Sequence, residues 1–254
     1  MEKKTVFVAI TNQKGGVGKS AVTVLMASYF HYAKRKNVLV VDCDFPQHSI
    51  SAMCKRDRES VMLSETYQNL LRAQYSKTGQ GAYRVLNASP GNARRIADEY
   101  IENSDPNIDL VLLDLPGTVN TPGMLSTLFS MDYIIIPIVA DRMIMQSSLV
   151  FAETIHNYRT AHPDCGVTDV LLLWNRVDNR VSKELYNYYD EVIERLGISV
   201  FNTKLPETQR YSRELSTDGN RASFRSTLLS PSSKLLSGSN VNVLADEMIE
   251  RLKL

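Results

Sequence analysis

The chain is 254 residues long and carries 29 Lys+Arg against 28 Asp+Glu, a formal net charge of +1. That length supports one large α/β domain over residues 1–254 with a sizeable core and no linker, and the balanced charge leaves any nucleic-acid or membrane contact to a local patch. The three cysteines, Cys43, Cys54 and Cys165, form no CxxC pair, which argues against a disulfide framework and for free thiols in a reducing, cytoplasmic setting.

The N-terminal MEKKTVFVAI starts with charge, but its apolar run gives way to TNQKGG too soon for a signal-peptide core. Residues 5–10 (TVFVAI) are predicted as the first strand, and residues 20–36 have the spacing and length of a helix. Further strands are predicted at 38–42 (VLVVD), 83–89 (YRVLNAS), 109–114 (DLVLLD), 133–138 (YIIIPI) and 169–174 (DVLLLW), with a helix at 141–161. These apolar runs are continuous rather than alternating, the pattern of strands buried on both faces. The fold class expected is α/β, a mostly parallel central sheet with helices on both faces and ligands at the carboxyl ends of its strands.

The longest later apolar run, residues 133–140 (YIIIPIVA), falls far below the ~20 residues that span a bilayer. Residues 212–240, rich in Ser, Asn, Gly and Thr, are predicted as loops and short helices near the site. The closing segment 241–254 has an apolar stripe of Val241, Leu244, Ala245, Met248 and Leu252. Its charges, Asp246, Glu247 and Glu250 against Arg251 and Lys253, give an anionic bilayer little to attract, so this helix is expected to pack on the domain.

The chemistry is concentrated at residues 12–20, NQKGGVGKS, between the first strand and the first helix. Glycines let successive backbone N–H groups converge on phosphate oxygens, and a helix N-terminus adds its positive dipole end. With Gly near ~7% of residues, the run KGGVGKS in this context is not a chance feature. Lys14, Gly15, Gly16, Val17, Gly18, Lys19, Ser20 and Ala21 form the predicted nucleotide loop, with Lys19 at the β- and γ-phosphates and the Ser20 hydroxyl on Mg²⁺. The strict pattern GxxxxGK[ST] departs at its first glycine, where Gln13 stands. Asp42 and Asp44 close one predicted strand and Asp114 another, so three carboxylates are expected at the phosphate end of the sheet.

Lys14, one residue before the Gly-Gly pair, makes the loop resemble the deviant Walker A motif of the ParA/MinD family of P-loop ATPases. VLVVDCD (38–44), VLLDLPG (111–117) and LPETQRYSREL (205–215) resemble that family's later motifs, so the likeness covers nearly the whole chain. It implies an ATP- and Mg²⁺-dependent homodimer in which Lys19 serves its own subunit's nucleotide and Lys14 reaches across to the partner's phosphates. It implies slow hydrolysis stimulated by an activator protein, with Asp114 on Mg²⁺, Asp44 orienting the attacking water and Asp42 supporting the metal shell. A helix cap is the other reading for Asp42.

The family reads DxDPQ where this chain reads DCDFPQ, with Phe45 inserted. By the same resemblance Asn175 contacts adenine, while Pro206, Glu207 and Thr208 close over it. NRVD (175–178) and DLPG (114–117) also resemble guanine-nucleotide motifs, so a GTP-binding switch is one alternative and a nucleotide-binding adaptor with vestigial hydrolysis another. The iron–sulfur branch needs cysteines between or just after the two Asp strands, and none lies between Cys54 and Cys165. Non-specific DNA binding, another family property, would use Lys204, Arg210, Arg213, Arg221, Arg225 and Lys234, which outnumber Glu207, Glu214 and Asp218 in that stretch. The text around VDCDFPQHSI resembles the ParA-like proteins of Bacteroides conjugative transposons, which implies a place in DNA partition or conjugal transfer.

Overall fold

The computed structural model describes residues 4–117, 121–216 and 222–254. In chain order its strands are β1 (Val6–Ile10), β2 (Val38–Asp42), β3 (Arg84–Asn87), β4 (Leu110–Asp114), β5 (Tyr133–Ile138), β6 (Asp169–Trp174) and β7 (Ser199–Val200). The helices are α1 (Lys19–Ser28), α2 (Ser49–Leu63), α3 (Glu65–Thr78), α4 (Ala93–Asn103), α5 (Met124–Phe129), α6 (Arg142–Ala161), α7 (Lys183–Arg195), α8 (Ser233–Leu236) and α9 (Val241–Leu252). The strands form one sheet in the order β3-β2-β4-β1-β5-β6-β7. Every strand pair in it is parallel.

Successive residues of these strands point to opposite faces, and both faces are apolar, so the sheet carries two cores. On one face Ala9, Val111, Leu113, Ile134, Ile136 and Trp174 pack with Ala97, Leu149, Ala152, Ile155 and Ile193 from α4, α6 and α7. On the other, Val8, Ile10, Val40, Leu112, Ile135 and Leu173 meet Val24 and Leu25 of α1 and the whole expected stripe of α9, Val241, Leu244, Ala245, Met248 and Leu252. The final helix therefore docks on the domain as its spacing requires. Among the described residues no helix is long and apolar enough to cross a membrane. All three cysteines are free thiols.

Two details differ from the sequence expectation. The helix predicted over 20–36 is α-helical only to Ser28 and continues as a π-helical turn, Tyr29–Ala33. The sheet has a seventh strand, the two-residue β7, too short to carry a periodic signal.

Register sets the stage for the site. Ile10 and Asp42 both lie directly opposite Asp114, so the end of β1, which feeds the glycine-rich loop, and two of the carboxylates share one level at the carboxyl edge of the sheet. The irregular segment after β7 is held to the body by Asp57 of α2, which accepts from the Thr227 N–H at 2.6 Å, the Thr227 hydroxyl at 2.8 Å and the Ser226 hydroxyl at 3.1 Å. Burial pushes the Asp57 carboxyl above the usual range against the pull of these three donors.

Candidate functional site

The loop leaves β1 through two buried residues, Thr11 and Asn12. The Asn12 amide donates to the Pro137 carbonyl at 2.8 Å and to the Ser148 hydroxyl at 2.8 Å. Its side-chain oxygen accepts from the Lys14 N–H at 3.0 Å. Asn12 thus pins the loop to β5 and α6, a task that neither it nor Ser148 advertises in the sequence.

Gln13 to Gly16 are exposed, Val17 is buried, and Gly16 and Gly18 have φ of 76° and 89°, in the left-handed region that favours glycine. Gly18 leads directly into α1, whose first turn has no side-chain cap and no acidic residue. The free N–H groups of that turn are left to an anion. Gly117, at the end of the DLPG run, lies against the loop so closely that a Cβ there would sit 3.1 Å from the Gln13 carbonyl oxygen.

The two lysines face different ways. The Lys19 ammonium donates to the Lys14 carbonyl at 3.3 Å, inside the loop's own curve. The Lys14 residue is exposed, and its ammonium has no hydrogen bond or ion pair among the described residues.

The three carboxylates also divide. Asp114 is 1% exposed, and neither of its oxygens receives a hydrogen bond of ordinary geometry. Burial pushes its carboxyl up to about 7, the Asp42 and Asp44 charges adding to the rise while the neighbouring Ser20 hydroxyl and Lys19 oppose it. A buried acid with two orphaned oxygens beside a hydroxyl suits a hard cation. Among the described residues no group of three or more His, Cys, Asp or Glu side chains is arranged to hold a metal. Mg²⁺ takes one or two protein ligands and completes its shell with phosphate oxygens and water, so Asp114 and the Ser20 hydroxyl are the groups here that would hold it.

Asp42 is placed differently from the metal-shell role expected of it. One oxygen accepts from the N–H groups of Ile50 at 3.1 Å and Ser51 at 2.9 Å, in the first turn of α2, and the other from the Asp44 N–H at 3.3 Å. It caps a helix and folds the 43–48 loop, the other reading left open by the sequence. Asp44 is half-buried, and its carboxylate has no hydrogen-bond partner among the described residues. The inserted Phe45 turns outward, 73% exposed and edge-on to the His48 ring, while the strand end at Asp42 keeps its pairing with Asp114 and Asn87.

Opposite the loop, Asn175 is buried and its amide donates to the Val17 carbonyl at 2.8 Å, while its side-chain oxygen is buried without a partner. Pro206 pairs with Val177 as an isolated parallel bridge, and Glu207 holds Arg176 at 2.6 Å, so the late loop does reach this side of the site. Trp174 is core, its indole N–H donating to Asp190 at 2.7 Å. Arg180 grips Asp178 through both carboxylate oxygens at 2.6–3.0 Å and holds its carboxyl well below the usual range.

The basic stretch is largely engaged within the molecule. Lys204 pairs with Asp190 at 2.7 Å, Arg225 with Glu214 at 2.8 Å, and Arg210 donates to the carbonyls of Leu235 and Ser237. Arg221 and Asp218 lie outside the described residues. Among the described residues of this stretch, Arg213 and Lys234 remain exposed.

A family model described as the CobQ/CobB/MinD/ParA nucleotide binding domain matches residues 8–220. Protein IncC of Escherichia coli is 30% identical over 166 residues, which are 58% of this chain and 45% of IncC, less than half of that relative's length. The MinD cell division protein of Aquifex aeolicus superposes with a TM-score of 0.60 at 16% identity, covering 98% of each chain. Cobyrinic acid a,c-diamide synthase from Mycobacterium smegmatis, solved with bound ADP and magnesium, gives a TM-score of 0.54 at 20% identity over 81% of this chain and 88% of that one. At such identities the structures share the fold, while the match over residues 8–220 carries the kinship: the chain belongs to the CobQ/CobB/MinD/ParA family of nucleotide-binding domains.

Proposed function

We propose that this chain is a cytoplasmic Mg²⁺-dependent ATPase that ATP binding converts into a face-to-face homodimer and slow, partner-stimulated hydrolysis resets. The task proposed for this switch is DNA partition or conjugative DNA transfer, following the resemblance to ParA. The observation that carries the reading is the division of labour between the lysines. Lys19 is held over the loop that would cradle phosphates, whereas Lys14 projects unpaired from the same loop. A second subunit presenting its own bound phosphates supplies the anion that Lys14 lacks.

Within a subunit, N–H groups of the loop and the first turn of α1 bind phosphate oxygens, and Lys19 adds a charge that strengthens as phosphoryl transfer proceeds. Ser20 and Asp114 would hold Mg²⁺, which neutralises charge on the phosphate oxygens when bound. Asp44, half-buried with a free carboxylate at the same sheet edge, orients the attacking water. The buried, unpartnered side-chain oxygen of Asn175 is an acceptor for an adenine amino group, and Pro206 and Glu207 flank it. The alternative GTP reading lacks comparable support, because the Asp178 carboxylate is turned onto Arg180. Among the described residues non-specific DNA contact falls to Arg213 and Lys234, the bases of the late stretch left exposed without side-chain partners.

Size-exclusion chromatography with light scattering tests the switch, comparing apo, ADP, ATP and GTP forms with Mg²⁺. A dimer is expected with ATP alone, and Lys14→Ala is expected to abolish it while monomer nucleotide affinity changes by less than about threefold, since an exposed cation contributes little within its own subunit. A dimer that survives in Lys14→Ala, or forms equally with GTP, sinks the reading. Asp44→Ala should keep ATP binding and slow turnover by about 10²-fold or more, the ordinary loss on removing a general base. Single-turnover hydrolysis at wild-type rate would move that role to another residue.

A further inference from the structure

A phosphate loop works only if its peptide N–H groups face the anion, and in a trans peptide the carbonyl of one residue points opposite to the N–H of the next. The carbonyls of Gly16 and Val17 must therefore be drawn away from the ligand. Both have named partners. Asn175 takes the Val17 carbonyl at 2.8 Å, and the Arg176 guanidinium takes the Gly16 carbonyl at 3.2 Å. Consecutive side chains on an extended strand point to opposite faces. These two reach the same loop because Arg176 adopts φ 54°, a left-handed backbone that a non-glycine residue takes up at a cost.

The same guanidinium donates to Glu207 at 2.6 Å. Glu207 is itself laced to the end of β6, its N–H donating to the Val177 carbonyl at 2.8 Å, while the Leu205 N–H donates to Trp174 at 2.8 Å and the Val177 N–H to Leu205 at 2.9 Å. The Arg176 and Glu207 side chains are 53% and 41% exposed. An ion pair so open to solvent contributes little to folding stability, so holding the fold together is a poor account of this arrangement.

We infer that Arg176, locked by Glu207, is a positioning residue that sets the Gly16–Val17 peptide plane so that the Val17 N–H faces bound phosphate. The late loop and the phosphate loop are then one unit, and displacing Glu207 loosens the anion site through Arg176. This rests on the reading of residues 12–20 as a phosphate site. A lysine cannot replace the arginine, because one ammonium does not present the fork that reaches a carbonyl and a carboxylate together.

The test uses the full chain and inorganic tripolyphosphate, which senses the peptide plane but makes no base contact, alongside ATP. Arg176→Ala is expected to weaken both ligands by about tenfold or more, the usual effect of losing a hydrogen bond from a charged group. Glu207→Gln should weaken both by a smaller factor, Arg176→Lys should recover less than half of the loss, and the apo melting temperature should stay within ~2 °C of wild type. Loss of ATP affinity with tripolyphosphate unaffected would make Arg176 a base-side contact and overturn the inference, as would unchanged binding of both or a fall in binding that follows a fall in melting temperature. Wild-type protein that binds neither ligand would instead remove the phosphate-site reading beneath it.

Discussion

Asp114→Asn is expected to make the nucleotide-free protein more stable at pH 8, to flatten its pH dependence, and to remove Mg²⁺-supported nucleotide binding. The direction follows from linkage. A free aspartate titrates near 3.9, whereas burial holds the Asp114 carboxyl up to about 7 in the folded chain. The folded state therefore binds this proton more tightly than the unfolded state. Its contribution to stability is fully present below about pH 4 and is lost as pH rises through about 7. Above that, the fold carries a buried carboxylate that accepts no hydrogen bond of ordinary geometry and that the neighbouring Ser20 hydroxyl and Lys19 compensate only in part. Three pH units correspond to about 4 kcal/mol at 1.36 kcal/mol per unit, a large share of the 5–15 kcal/mol typical of a domain. Asparagine fills the same volume without ionising, and its amide can turn toward the neighbouring carboxylates of Asp42 and Asp44. Urea unfolding at pH 5 and pH 8 for both proteins, with titration of ATP in the presence and absence of Mg²⁺, decides the matter. A wild-type stability that does not fall relative to the variant over that interval would show that the buried acid is compensated by some other group. The trade is one expected of a cation site, where stability of the empty form is given up so that an oxyanion pair is ready for metal.

The central strands β1, β2, β4, β5 and β6 were legible because they are buried on both faces and write nearly unbroken apolar runs, and the last helix because its stripe at 241, 244, 245, 248 and 252 leaves no other face to bury. The loop at 12–20 was legible for a related reason: glycines, a lysine and a hydroxyl act through local backbone geometry, which sequence order preserves. What could not be read depends on residues far apart in the chain. Asn12 matters through Pro137 and Ser148, and Arg176 through Gly16 and Glu207. Neither set is periodic, and neither has a fixed spacing. A count of charges between 204 and 234 likewise misses partners outside the stretch, such as Asp190 for Lys204 and the carbonyls of Leu235 and Ser237 for Arg210. Asp42 stood next to a metal-binding motif and so drew a metal role, yet the deciding fact was the start of α2 eight and nine residues on, where Ile50 and Ser51 present their N–H groups.

Gly18→Ala should reduce ATP and tripolyphosphate affinity by about 10²-fold while leaving the protein folded. Two costs act on the same atoms. Alanine at φ 89° is forced into a backbone that glycine adopts freely, worth about 1–3 kcal/mol. The added Cβ would stand 2.4 Å from the Asn175 amide nitrogen. That amide is 3% exposed and already committed to the Val17 carbonyl, so it cannot swing aside without abandoning a buried hydrogen bond, a further loss of about 1–3 kcal/mol. Either response turns the Val17 carbonyl loose and disturbs the N–H groups that the loop aims at phosphate. The fold should survive, because α1 is anchored in the core by the side chains of Val22, Val24, Leu25 and Met26. Circular dichroism melts with isothermal titration of both ligands separate the two effects. Wild-type affinity in this variant would mean that the loop takes up its binding conformation without the Asn175 contact, and the pre-set carbonyls of Gly16 and Val17 would then not be what orients the anion site.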